Sequence, residues 1–163
     1  MPEMIPLGWF HTIMGIIALV SGALTLYRYK EISYRQGSGL IYLVTTLITA
    51  ATALLIFQHG VFGIAHIMAV AALVALAVGF LADAFSAFGG WSRRIQAVSY
   101  LATILFHCLP AVTDGLLRLP VGNPILDSIE HPVMQASHRG VFILFLIGVA
   151  MQQRWIGRNP VPA

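Results

Sequence analysis

Histidine is the residue of this chain best suited to chemistry, because a neutral imidazole binds metal ions and can serve as an axial ligand of haem iron. The sequence has six. His11, His66, His107 and His138 fall within four separate apolar stretches, and His59 and His131 stand at the edges of two. A single imidazole inside a membrane is ordinary interhelical glue, bonded to a carbonyl of the next helix. Four on different stretches raise the alternative of a shared site. A b-type haem would need two histidines at nearly equal depth on facing helices, with small residues making room for the ring. His66 and His138 meet the depth requirement, with Gly63 and Ala69 around His66 and Gly140 just after His138. Arg139 or Arg118 would pair with haem propionates, and His11 is the substitute ligand. No haem-attachment motif of the Cys-x-x-Cys-His type occurs.

A non-haem ion is the second chemistry. His11 with Met14, and His131 with Met134, stand three apart on one helical face. A thioether beside an imidazole suits copper, whereas His107 with Asp114 and His66, extended by His11 or His138, suits zinc or iron. Methionine also simply packs well in membrane cores. Cys108, the sole cysteine, points about 100° away from His107 around a helix and reads as packing. Asp114 is expected to be the one buried carboxylate, and Asp83 a solvated or arginine-paired helix end. Pro110, between His107 and Asp114, is expected to kink its helix. Ser38, Tyr42, Thr45, Thr49 and Thr52 share a seam that His59 continues. The seam suits a proton or water path, but such hydroxyls more commonly bond their own helix backbone or a neighbour. Dinucleotide and Walker glycine motifs, His-Glu-x-x-His and Gly-x-Ser-x-Gly are all missing, which sets aside the soluble enzymes they mark.

The elements that carry these residues follow from composition. The chain is 58% hydrophobic and 9% charged over 163 residues, with a mean hydropathy of +0.85. Soluble domains carry roughly a quarter charged residues. The pattern predicts an all-α integral membrane protein, one domain over 1–163, with five transmembrane helices at about 7–27, 38–57, 61–85, 95–117 and 132–155. Residues 58–60 form a tight hairpin, Gly89-Gly90 separates helices 3 and 4, and 118–130 is an ordered loop. No basic segment or cleavage site frames the first stretch as a signal peptide. The net charge of +3 reflects loop arginines rather than a nucleic-acid partner. With the N-terminus outside and the C-terminus cytoplasmic, the inner side holds Arg28, Lys30, Arg35, Arg93, Arg94, Arg154 and Arg158, leaving Arg118 and Arg139 outside. This obeys the positive-inside rule. His59 and His131 then lie at the outer surface, His11, His66 and His138 roughly 6 to 9 Å below it, and His107 at about 15 Å. Met4, Met14, Met68 and Met134 share that half, and only Met151 lies in the inner one.

His11 with Gly15, Tyr34-Arg35 ahead of Gly39 and Tyr42, and His66 resemble a group of small uncharacterised bacterial polytopic membrane proteins. That group usually has His-Arg where Tyr34-Arg35 stands here. The resemblance covers the first three helices, implies a bacterial inner-membrane location, and implies no activity. The histidine arrangement is also similar in style to membrane cytochromes b. Three functions are expected from the residues: haem-based electron handling near the outer, periplasmic face; copper, zinc or iron binding; or a non-catalytic subunit whose Gly and Ala faces dock a larger membrane complex or a second copy. The threonine seam leaves a small transporter as the remainder.

Overall fold

A computed structural model describes residues 6–56 and 62–160. The expected positions of His59, Met4, the 58–60 hairpin, the end of helix 2 and the start of helix 3 lie outside them. Among the described residues the chain forms five α-helices: α1 (Pro6–Tyr29), α2 (Gly37–Ala53), α3 (Ile64–Phe85), α4 (Ser92–Arg118) and α5 (Pro132–Arg158). Four of them, all but α2, are long and apolar enough to cross a membrane.

Each helix ends for a local reason. After α1 the Lys30 N–H returns to the Leu26 carbonyl at 3.0 Å, with Lys30 in the left-handed region at φ 65°. That closure is the usual helix stop, normally made with glycine. Gly39 opens α2 against the loop, where a Cβ would sit 2.2 Å from the Ser33 carbonyl oxygen. At the other end of α2 the Leu55 N–H bonds the Thr52 carbonyl and Ile56 bonds Ala53. These tighter i to i−3 bonds finish the helix after 17 residues, earlier than the sequence pattern predicts. Beyond α3 the Ala87 N–H reaches back to the Leu81 carbonyl at 3.3 Å, and Gly89 adopts a positive φ. A short 3₁₀ turn over Gly89–Trp91 then leads into α4. Pro132 occupies the first turn of α5, and His131 caps it by accepting the Val133 N–H at 3.2 Å.

α1 packs along α2 and α3 along α4, α2 faces α3, and α5 packs along α4. The two hairpins meet at two fully buried tyrosines, Tyr42 on α2 and Tyr100 on α4. Each ring rests on a glycine of an adjacent helix. A Cβ on Gly22 would come within 2.7 Å of the Tyr42 ring, and one on Gly79 within 2.5 Å of the Tyr100 ring. The outward faces are apolar, with Ile16, Val20, Leu47, Val74 and Leu144 all exposed. Only 6% of the most apolar stretch of α5 is buried, against 33% for α4, so α5 is the outermost span. Such surfaces suit a lipid environment. The 118–131 segment is ordered as expected, folding back so that the Leu126 N–H bonds the Leu116 carbonyl at 2.9 Å and its side chain is buried.

Candidate functional site in the bundle interior

Cross-helix bonds define two ends of the bundle. At the histidine end, His11 Nδ1 lies 3.1 Å from both the Thr49 carbonyl and the Thr52 hydroxyl of α2. One helical turn further in, His107 Nε2 of α4 meets the Thr46 hydroxyl at 3.1 Å. His138 Nε2 of α5 meets the Thr113 hydroxyl of α4 at 2.8 Å. His66 turns back on its own helix start, where its Nδ1 accepts the Gly63 N–H at 3.1 Å and its ring stacks on Phe62. His66 is buried and His11, His107 and His138 partly so.

These partners settle three tautomers. The Thr49 carbonyl only accepts, so His11 carries its proton on Nδ1 and its lone pair on Nε2. The Thr113 hydroxyl already donates to the Leu109 carbonyl, so the neutral His138 ring must donate from Nε2. His66 accepts at Nδ1, so in the neutral ring Nε2 carries the proton. A histidine that binds metal through Nε2 does so with Nδ1–H held by a carbonyl or carboxylate. His11 has that tautomer; His66 and His138, the expected haem pair, have the reverse. They are also not brought together, since α3 and α5 each pack along α4 rather than along one another. Equal depth is an expectation from residue counts, whereas the direction each helix faces could not be counted from the sequence. Among the described residues no three His, Cys, Asp or Glu side chains gather to hold a metal ion.

The carboxylates exchange the places expected of them. Asp114 has a side chain 60% exposed and pairs with Arg118 at 3.1 Å along α4, so it is a helix-surface ion pair. Asp83 is the buried carboxylate, its side chain only 1% accessible. It accepts from the Ser33 hydroxyl at 2.9 Å, the Tyr34 N–H at 2.9 Å and Arg35 Nη1 at 3.1 Å. The sequence placed Asp83 at a helix end beside an arginine, which is right for its partner and wrong for its burial. Arg139 is exposed at the histidine end.

Asp83 is one of four clamps on the 30–36 loop. Gln96 Nε2 of α4 donates to the Ile32 carbonyl at 2.7 Å, and Gln152 Nε2 of α5 to the Lys30 carbonyl at 2.9 Å. Arg93 makes a two-pronged pair with Glu31 at 2.8 and 3.0 Å. Sequence reasoning missed Gln96 and Gln152. Their signal was present as amides at the same level near the basic ends of α4 and α5.

The hydroxyl seam has the more ordinary of its two expected forms. Thr45, Thr49 and Thr52 each donate to the carbonyl four residues earlier, at 2.7 to 2.8 Å, while Ser38 meets the Thr25 hydroxyl of α1 at 2.7 Å. The Tyr42 hydroxyl donates to the Thr103 hydroxyl in a very short contact, with the Tyr100 carbonyl also 3.3 Å away. Thr103 itself donates to the Tyr100 carbonyl at 2.7 Å. A hydroxyl has one proton, and most of these end on a backbone carbonyl within a step or two rather than running on along the seam. The Tyr100 hydroxyl is the exception, buried facing the Asp83 carboxylate rather than a backbone carbonyl.

Comparison with family models, with curated proteins and with solved structures found no match to this chain.

Proposed function

We propose that this chain is a non-catalytic membrane subunit, a helical bundle that works through its surfaces as part of a larger membrane assembly. The observation that carries this is the direction of the interior protons. The hydroxyls of Thr45, Thr49, Thr52 and Thr103 point at backbone carbonyls, and the Tyr42 proton ends on one by way of Thr103. His11, His107 and His138 each join a neighbouring helix through threonine. Side chains held this way fasten helices together and leave little for proton transfer or substrate binding. The apolar helices suit a multi-pass protein of a lipid bilayer, and a bacterial inner membrane is the location proposed with it.

A cofactor reading keeps one specific support. His11 presents a bare Nε2 behind an Nδ1–H···O=C bond to Thr49, the arrangement used by imidazole ligands of haem b, copper, zinc or iron. A visible spectrum of purified protein with and without dithionite, together with metal analysis of untagged protein, tests both readings. The expected result is no Soret band and no stoichiometric metal, with other membrane proteins co-purifying in fixed ratio. A Soret band or a metal ion that disappears in His11→Ala and survives in His66→Ala would overturn the non-catalytic reading.

A further inference from the structure

A groove of about 550 Å³ opens at the basic end between α1, α4 and α5. Along α5 its wall runs from Gly148 to Arg158, or about 15 Å at the helical rise. Its apolar wall is made by Leu26, Leu101 and Met151, with Gly148 letting the Leu101 side chain approach to 3.2 Å from where a Cβ would stand. The rim carries Lys30, Arg154 and Arg158, and among the described residues no carboxylate lines the groove. Arg154 and Arg158 are exposed and belong to no ion pair among the described residues. Trp155 stands between them along α5, and indole rings prefer the boundary of a bilayer.

Lys30 adds a second, independent observation. It sits at φ 65°, in a conformation that glycine adopts at lower cost. A lysine is nonetheless what occupies the rim, with Gln152 holding its carbonyl from across the groove. From the cationic rim above an apolar trough we infer that this groove is a binding site for one anionic phospholipid. The phosphate sits among Lys30, Arg154 and Arg158, and an acyl chain lies along Leu101 and Met151. Uncharged or zwitterionic headgroups lack the net charge that the rim selects. This does not depend on whether the interior is catalytic.

The test presents detergent-solubilised protein with an equimolar mixture of phosphatidylglycerol and phosphatidylcholine, and counts retained lipid by native mass spectrometry. Phosphatidylglycerol is retained preferentially, and Arg154→Gln and Arg158→Gln each weaken its retention about fivefold, the effect of one basic residue at an anionic surface. Both side chains are exposed, so neither change removes a packing contact; unchanged helicity by circular dichroism confirms the fold. Arg139→Gln, at the opposite end of α5, leaves retention as in wild type. Equal retention of the two lipids, or an equal loss in Arg139→Gln, overturns the site. Displacement of phosphatidylglycerol by millimolar inorganic phosphate also overturns it, since the rim would then be reading a free anion without the chain.

Discussion

Asp83 concentrates more of the inner architecture than any other single side chain. It gathers a hydroxyl, a backbone N–H and a guanidinium from the 33–35 turn, so removing it strands two buried donors. Asp83→Ala is expected to cost about 3 kcal/mol, within the range for breaking a buried charged partner. The partner behaves differently, because the Arg35 side chain is 61% exposed. Water replaces much of what Arg35→Gln removes, and that change is expected to cost below about 1 kcal/mol. Thermal unfolding midpoints in one detergent would rank the two, and an equal loss would mean that the ion pair, not the buried carboxylate, governs the turn. Lys30 gives the opposite sign. Lys30→Gly relieves a left-handed lysine and is expected to stabilise the fold by about 1 kcal/mol, while weakening retention of phosphatidylglycerol. A stabilised variant with unchanged lipid retention would separate the two roles and remove Lys30 from the rim.

Helix pairing depends on two glycine-tyrosine seats, and these can be tested as a pair. Gly22→Ala and Gly79→Ala each drive a methyl into a fully buried ring, which overpacks a core by about 1 to 3 kcal/mol. Replacing the ring with a smaller group should restore most of the loss, so Gly79→Ala with Tyr100→Leu is expected to be more stable than the two separate losses predict. Strict additivity in urea or thermal unfolding would show that the ring does not determine the close approach. The same seats mark where sequence reading stops. All five helices were legible, four of them as membrane-length spans, because about 20 apolar residues bounded by charge or glycine leave few other solutions in a bilayer. Rotation about each axis was not, since long spans such as α3 are apolar on nearly every face, and nothing in one sequence says which side meets Tyr100. That is why His66 and His138 were read as facing partners although His138 bonds Thr113 and His66 caps its own helix. It is also why Asp114, mid-face by spacing, was read as buried, while Asp83 lies under a loop whose path only the fold reveals.

The whole molecule is polarised. Arg28, Lys30, Arg35, Arg93, Arg94, Arg154 and Arg158 all stand at the end formed by the 30–36 loop, the 86–91 turn and the end of α5, and Arg118 and Arg139 at the other. The cross-helix bonds support the same division, since Glu31 meets Arg93 and Lys30 meets Gln152 at one end while His11 meets Thr52 and His138 meets Thr113 at the other. Lys and Arg near short loops favour the cytoplasmic side during insertion, so the basic end is expected inside and the histidine end outside. Two added cysteines decide it. In a Cys108→Ala background, Gly90→Cys reports on the basic end, where a Cβ meets no atom within 4 Å. Val121→Cys reports on the other end, at a side chain 83% exposed. A membrane-impermeant maleimide applied to intact spheroplasts is expected to label Val121→Cys at once and Gly90→Cys only after permeabilisation. The reverse order would place the arginine-rich end outside. It would also carry the lipid groove into the outer leaflet, because Arg154 and Arg158 cannot change sides without Gly90 changing with them.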